Sequence, residues 1–467
     1  MKKNLPFILL FFWVFTIAQK APNNDFAKEN FIKKEVYIPM RDGVKLFTSI
    51  YIPKDISKAK KYPFLMQRTC YSVAPYGETE YRSALGPNKY LMNEKYIFVY
   101  QDVRGRYMSE GTFTNMTPQV ERKSKKDVDE STDTYDTIDW LLQNITNNNG
   151  KVGQYGTSYP GFYTAAGILA DHPALVASSP QAPISDFWND DFLHNGKFML
   201  GYFRTFPVFG VQKTKAEKEG WYMDSFIKPT SEDGLKFYRE LGTLKDGYEK
   251  YYKDNFFMTE IMNHPNYDEY WQKRSLLPHL KNVNHAVMTV GGWYDAEDLF
   301  GPLNIYKTIE KTSPKAKNTI VMGPFSHGAW SRETGKHFHN EIYFGDSIAT
   351  YYQKNLETKF FHHYLKENSK TDAGLPEAMM YDTGKKEWKE FTNYPPKHAQ
   401  KINFYLANGT LNKNPSASFS EYYSDPNNPV LSSDNLKDFN GFTPRNYMSE
   451  DQRFALGRPD VLTFTTE

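Results

Sequence analysis

Apolar and polar positions fall into short blocks from residue 30 onward, and the blocks have two periods. Lys34-Glu35-Val36-Tyr37-Ile38-Pro39 reads as a short β-like run, reaches the hairpin signal Arg41-Asp42-Gly43 and resumes over Val44 to Ile52. Tyr62 to Arg68 and Tyr96 to Val103 are runs of the kind that fill central strands. Glu130 to Asn144 instead spaces Ile138, Leu141 and Leu142 as a helix does, with acids in its first turn. Strands alternating with helices predict a mostly parallel sheet.

The strand pattern stops between residues 186 and 280. That stretch is rich in Tyr, Phe, Trp and Lys, with helical runs near Glu217 to Ile227, Gly234 to Leu241 and Tyr248 to Asp254. Strands resume at Ala286 to Val290 and Thr319 to Met322, and Ala349 to Asn368 predicts a last helix carrying His362 and His363 as ordinary helix residues. From about Pro376 the pattern turns to short strands and turns (Lys386 to Phe391, Ile402 to Leu406, Asn408-Gly409), which predicts an all-β module. The expected organisation is an α/β domain over 30–185 and 281–370, a helical cap over 186–280, and an all-β unit over 376–467.

The N-terminus changes this picture only at its edge. Lys2 and Lys3 precede an apolar run from Pro6 to Ala18, too short to span a bilayer, with Thr16 and Ala18 suited to cleavage before Gln19. Residues 1–18 are expected to be a signal peptide, and the mature protein periplasmic or secreted, with no membrane segment after cleavage. Cys70 is the only cysteine of 467 residues, so no intrachain disulfide forms. A net charge of +2 gives no case for nucleic acid, and 16% aromatic residues fit an enzyme with aromatic-lined clefts. The acid-rich stretch Asp127 to Asp136 lacks the turn glycine and closing glutamate of an EF-hand loop, and reads better as a solvated helix start than as a calcium site. No metal or organic cofactor is implied.

The candidate chemistry lies at strand ends. Gly156-Thr157-Ser158 closes a strand-like run and opens onto an Ala-rich helical segment, Phe162 to Ala170. Strand, sharp turn and helix hold a serine in a strained backbone with its hydroxyl lifted above the sheet. Asp295, in Gly292-Trp293-Tyr294-Asp295, and His327, in Gly323-Pro324-Phe325-Ser326-His327, each follow a strand. A serine hydroxyl needs a base to accept its proton and a third group to orient that base. Ser158, Asp295 and His327 supply these in the chain order of α/β-hydrolases. The tetrahedral intermediate also needs donors. The Tyr159 amide follows the nucleophile, and the loop Arg68-Thr69-Cys70-Tyr71 offers the Tyr71 hydroxyl. Pro160 stands where the second glycine of Gly-x-Ser-x-Gly is usual.

Four segments together resemble the X-Pro dipeptidyl-peptidase/cocaine esterase hydrolases: Gly156 to Gly161; Asp102-Val103-Arg104-Gly105-Arg106 with Ser109-Glu110-Gly111; Gly292 to Asp295; and Arg68 to Tyr71. Within that family the chain is most similar to the α-amino acid ester hydrolases, with glutaryl-7-aminocephalosporanic acid acylases nearby. The resemblance runs from about residue 30 to the end. It implies an α/β-hydrolase fold with an inserted helical cap and a C-terminal jelly roll, expected here in truncated form. It also implies the triad Ser158, Asp295 and His327, an oxyanion hole of Tyr71 and the Tyr159 backbone, and a homo-oligomer. Cys70 departs from the proline usual at its position. In the α-amino acid ester hydrolases a carboxylate cluster binds the substrate ammonium. Its counterparts here are Glu297, Asp298 and one of Asp190 and Asp191, with Asp191 favoured by spacing. Acids so soon after Asp295 also suit the first turn of a helix.

The expected function is that of a serine hydrolase or acyltransferase acting on a small-molecule ester or amide: an α-amino acid ester, or a β-lactam-type amide with an α-amino acyl group. An X-Pro dipeptidyl-peptidase and a general carboxylesterase are alternatives within the family. A catalytically inert glycan-binding protein is the alternative from another class.

Overall fold

The computed structural model describes residues 25–121, 124–332, 335–367, 371–432, 436–437 and 447–466. The expected signal peptide, 1–18, lies outside them. Ten strands form one sheet: β1 (Phe31–Pro39), β2 (Lys45–Pro53), β3 (Tyr62–Thr69), β4 (Ile97–Asp102), β5 (Asn148–Thr157), β6 (Leu175–Gln181), β7 (Ala286–Gly292), β8 (Asn318–Gly323), β9 (Ala378–Asp382) and β10 (Glu387–Phe391). Their spatial order is 1-2-4-3-5-6-7-8-9-10. The β1–β2, β2–β4 and β9–β10 pairs are antiparallel and the rest parallel.

The helices are α1 (Glu130–Asn144), α2 (Tyr159–Ile168), α3 (Gly234–Leu241), α4 (Leu244–Tyr251), α5 (Phe256–Asn263), α6 (Phe300–Thr312) and α7 (Thr358–Lys366). Residues next to each other on a strand face opposite sides of the sheet, and the two faces are covered by different helices. Phe64 and Met66 of β3 pack with Ile138 and Leu141 of α1. Leu65 between them packs in the cluster of Phe361 and Leu365 of α7. α1 spans the residues its periodicity predicts. Asp129 accepts a hydrogen bond from the Thr132 amide while the Thr132 hydroxyl accepts one from the Asp129 amide, which fixes its start.

Strand β6 escapes the hydrophobic pattern because Ser178, Ser179 and Gln181 interrupt it. Each is buried and bonded: Ser178 to His285, Ser179 to the Met288 carbonyl, and Gln181 to Glu357. A buried polar strand is stable when its side chains find partners.

The segment 186–280 holds α3, α4 and α5 with short helical turns at Pro207–Gly210 and Glu269–Gln272. The helix expected over Glu217 to Ile227 is reduced to one 3-10 turn, Met223–Ser225, as Gly220 and the adjacent aromatics break the periodicity. The abundance of aromatic residues finds its use here. Phe187, Phe192, Phe206, Phe209 and Phe257 form one cluster with Tyr159, Phe162 and Tyr163 of α2. Phe192 meets Phe209 edge-on at 4.5 Å and Phe206 stacks on Phe257 at 5.3 Å. Such pairs contribute about 0.5–1.5 kcal/mol each beyond the area they bury.

Beyond residue 370 the structure departs from the expected organisation. β9 pairs in parallel with β8 and β10 closes the sheet, so residues 378–391 extend the α/β sheet. Met379 and Met380 carry the buried apolar character that joins β9 to β8. After Phe391 the described residues form one two-stranded hairpin, Tyr405–Ala407 with Thr410–Asn412, which Thr465 joins by a single parallel bridge. The jelly roll expected over 376–467 is therefore not formed among the described residues. Among them, too, no helix is long and apolar enough to cross a membrane. The helix expected over Ala349 to Asn368 is a helical turn, a π-helical segment (Tyr352–Glu357) and then α7.

Three acids within α1, Glu130, Asp133 and Asp136, pair with arginines. Arg68 Nη1 lies 3.0 Å from Glu130 and its Nη2 3.6 Å from Asp133; Arg104 bridges Asp133 and Asp42, both at 2.7 Å; Arg41 meets Asp136 at 2.8 Å. Arg68, Glu130 and Asp133 are buried, and burial pushes both carboxyls up. Replacing Arg68 by Met should cost about 3–5 kcal/mol at pH 7, because the buried Glu130 loses its counter-charge while Asp133 keeps only Arg104. The deficit should shrink as pH falls, because folded-state pKa values above the unfolded ones favour the protonated fold at low pH and the penalty grows as pH rises through them. Denaturant titrations at pH 7 and pH 5 measure this; an equal deficit at both would contradict it.

Candidate active site

Ser158 stands between β5 and α2 with φ +68° and ψ −129°, a conformation rarely held by a non-glycine residue and costing about 1–3 kcal/mol. Two glycines make the turn possible. A Cβ on Gly156 would stand 2.2 Å from the Pro160 carbonyl oxygen, and one on Gly161 2.5 Å from that of Gln181. The close approach of helix and strand thus falls at Gly161, and position 160 is free to be proline in the first helical turn, where no amide is needed.

Asp295 follows β7 and His327 follows β8. The two loops are held by backbone bonds, from the Trp293 amide to Gly323 (2.8 Å) and from the Tyr294 amide to Phe325 (3.1 Å). His327 Nδ1 lies 3.0 and 2.9 Å from the two Asp295 oxygens. Asp295 Oδ1 also accepts the amides of Glu297 (2.9 Å) and Asp298 (3.0 Å). Burial is the largest influence on Asp295 and would raise its pKa, but His327 and these amides hold it below the usual value. A Cβ on Gly328 would stand 3.4 Å from the Thr157 side chain, which places the His327 loop beside the Ser158 turn.

The third link of the triad is open. No hydrogen bond of 3.5 Å or less joins Ser158 Oγ to His327. His327 Nε2 faces Glu297 Oε2 at 3.5 Å instead. Catalytic hydrogen bonds of this kind are often long without substrate. Burial, the largest influence on His327, would lower its pKa, yet Asp295, Glu297 and Asp191 outweigh it and carry it to about 9.

Tyr71 and Tyr159, the expected oxyanion donors, lie side by side. Tyr159 opens α2, so its amide has no intrahelical acceptor. Its buried side chain donates to Asn115 (3.0 Å) and accepts the Met116 amide (2.9 Å). The Tyr71 ring meets Tyr159 and Phe209 edge-on at 6.4 and 6.3 Å. Burial keeps its hydroxyl protonated, and no described residue accepts its hydrogen bond. The loop after Tyr71 hangs on Asp102, whose Oδ1 accepts the Val73 amide (3.0 Å) and whose Oδ2 accepts the Tyr76 hydroxyl (3.0 Å). Burial lifts Asp102 to about 7 against these bonds. Asp102 is visible in the sequence only as part of a motif, and its positioning role emerges from the fold. Cys70 is fully buried, and burial pushes its thiol up to about 12.

The remaining carboxylates gather on the other side of His327. Asp190 is occupied: it accepts the amides of Ser185 (2.9 Å) and Gly301 (2.8 Å) and the Ser185 hydroxyl (3.1 Å). Asp191, buried and at φ +64°, turns toward Glu297 and His327. Its amide and His194 Nε2 both donate to the Glu297 carbonyl, at 3.0 and 3.1 Å. Asp298 is fully buried and neither of its oxygens has a hydrogen-bond partner; His327 Nδ1 is 3.9 Å away. Burial first, then mutual repulsion, raises Asp191 and Asp298 well above the carboxylate range. Neither acid is in the first turn of a regular helix, since α6 starts at Phe300. Ser158, His327 and Glu297 remain half-buried, which leaves them within reach of a ligand.

Residues 42–329 match the family described as X-Pro dipeptidyl-peptidase (S15 family). The chain is 25% identical to the cocaine esterase of Rhodococcus sp. (strain MB1 Bresler), over 93% of this chain and 74% of that protein. Two solved structures are each 30% identical with a TM-score of 0.82. One is an aminopeptidase from the marine sediment archaeon Thaumarchaeota archaeon, covering 100% of this chain and 75% of that one. The other is an α-amino acid ester hydrolase, covering 98% and 76%. The glycan-binding alternative finds no support among them. With an α/β-hydrolase sheet and a strained serine at the end of its fifth strand, this chain belongs to the X-Pro dipeptidyl-peptidase (S15) family and is a serine hydrolase.

Proposed function

We propose that the enzyme hydrolyses α-amino acid esters through an acyl-enzyme on Ser158, and transfers the same acyl group to amines. The observation that carries this reading is Asp298, a buried carboxylate with both oxygens unbonded beside Asp191 and Glu297. Leaving buried carboxylates without donors is costly. An α-ammonium brings three N–H donors and a positive charge, and so meets the need of all three acids at once. The names of two relatives, an α-amino acid ester hydrolase and an aminopeptidase, both concern substrates with an amino group.

The chemistry under this reading is acyl transfer in two halves. His327 Nε2 takes the Ser158 proton as Oγ bonds to the ester carbon, and the charge that builds on the carbonyl oxygen is met by the Tyr71 hydroxyl and the Tyr159 amide. His327 then protonates the departing alkoxide as the C–O bond breaks. Water repeats the sequence, releasing the amino acid and restoring Ser158. Asp295 keeps Nδ1 protonated and Nε2 facing the nucleophile. An aminopeptidase activity is a second reading, because a peptide N-terminus offers the same ammonium; release of Ala-Pro from a peptide reporter distinguishes it.

Ser158→Ala should lower turnover by at least about four orders of magnitude; a variant of unchanged fold that keeps its activity would refute the nucleophile assignment. Phenylglycine methyl ester should be preferred in kcat/KM over methyl phenylacetate, which lacks only the amino group, by roughly tenfold or more, about 1.4 kcal/mol. Asp298→Asn should erase most of that preference. Equal rates on the two esters in the unaltered enzyme would mark a general carboxylesterase.

A further inference from the structure

We infer that Glu297 has a second role, as a latch on the general base, so that the substrate ammonium switches on the chemistry as well as anchoring the substrate. This inference deepens the α-amino acid esterase reading and rests on it. The geometry is direct. The nitrogen that must receive the Ser158 proton, His327 Nε2, faces Glu297 Oε2 at 3.5 Å, and no hydrogen bond joins it to Ser158 Oγ. Two jobs compete for one nitrogen: an imidazolium paired with Glu297 cannot accept a proton, and an imidazole released from it can.

The surroundings favour the paired state while the site is empty. His327 is faced by Asp295 at Nδ1 (2.9 Å), by Asp298 at 3.9 Å, by Glu297 at Nε2, and by Asp191 from the 186–280 segment. His194, on that same segment, is pushed toward its neutral form by burial and donates to the Glu297 carbonyl, so it brings no compensating charge. Arg332 donates to the His327 carbonyl and lies on the exposed side of that loop. The imidazole is thus the cation nearest to several carboxylates, and its pKa near 9 has the same cause. An ammonium bound among Asp191, Glu297 and Asp298 takes over that part. It draws Glu297 off Nε2 and withdraws the field that keeps His327 protonated.

Glu297 can move this way because its backbone is fixed while its carboxylate is not. The Glu297 carbonyl accepts two bonds and its amide donates to Asp295, whereas its side chain, 11% exposed, has His327 as its one ion-pair partner among the described residues. Asp298 is held differently. It is fully buried, and it lies on the Nδ1 side of the ring, so it can bind a cation without blocking the proton path. The latch therefore places selectivity for the amino group partly in kcat, where a recognition site alone would act on ground state and transition state alike.

The test is the pH profile on an ester with no amino group. For the unaltered enzyme, kcat/KM on methyl phenylacetate should climb through neutral pH along an alkaline limb. In Glu297→Gln that limb should move to lower pH, and the rate on methyl phenylacetate at pH 7 should rise about three- to tenfold, roughly tenfold for each unit the limb falls. Turnover of phenylglycine methyl ester should fall in the same variant. A rate on methyl phenylacetate that is unchanged or lower, with the limb in place, would overturn the latch. Should the variant fail to fold, the unaltered enzyme gives the answer. Methylammonium chloride, against sodium chloride at equal ionic strength, should accelerate labelling of Ser158 by an uncharged fluorophosphonate at pH 7, and no acceleration would overturn the proposal. The two readings fail separately. Loss of the amino preference in the unaltered enzyme removes the α-amino acid esterase reading. Persistence of that preference without a gain in Glu297→Gln removes only the latch.

Discussion

The active site is organised around one imbalance: several carboxylates withdrawn from water and a single imidazole to answer them. Asp191, Asp295 and Asp298 are buried, and Glu297 closes the group from the half-buried side. Burial alone would raise the pKa values of Asp191, Asp295 and Asp298. Asp295 stays ionised because it has His327 and two amides, and Asp190 nearby has its own amides. Asp191 has only the Tyr202 hydroxyl and the Asp298 carboxylate has no hydrogen-bond partner among the described residues, and burial with the neighbouring acids raises both. The raised pKa values of His327, Asp191 and Asp298 all follow from this one shortage of positive charge.

The sheet makes such a concentration possible. Strand β5 ends in the Ser158 turn, and β7 and β8 deliver Asp295 and His327 in loops stitched together by backbone bonds. The acids that gather near His327 come from one of these loops and from the segment after β6. Glycines set the distances. Gly292 allows the Phe325 carbonyl to pass where a Cβ would stand 2.1 Å from it, and Gly301 does the same for the Pro183 carbonyl at 1.7 Å. Side chains at these points would push apart the loops that hold Asp295 and Asp190.

Much of this was legible in the residues. Strands β1 to β5 and helix α1 announce themselves by period and by capping, and the order Ser158, Asp295, His327 gives the chemistry. What escaped had a physical reason in each case. β6 is hidden because its polar side chains are satisfied by partners far along the chain, such as Gln181 with Glu357. β9 reads as the start of an all-β unit because its length and turns are those of any hairpin, and only its parallel pairing with β8 assigns it to the main sheet. The choice between Asp190 and Asp191 turns on which of two adjacent carboxyls has its lone pairs filled, and that depends on Ser185 and Gly301, one of them 111 residues away. The contest between Ser158 and Glu297 for His327 is a matter of a few ångströms, below what spacing along a chain can express.

The cap segment is joined to the chemistry at one point of special interest. The Glu297 carbonyl receives both the Asp191 amide and His194, so the segment over the site is bonded to the backbone of the acid loop and packs its phenylalanines against α2. Asp191 belongs to that segment while Ser158, Asp295, Glu297, Asp298 and His327 belong to loops at the strand ends of the sheet. One of the acids around His327 thus lies on a stretch of chain separate from the other two and from the triad, and inheritance can alter that one by exchanging a single contiguous insertion while passing on the rest intact.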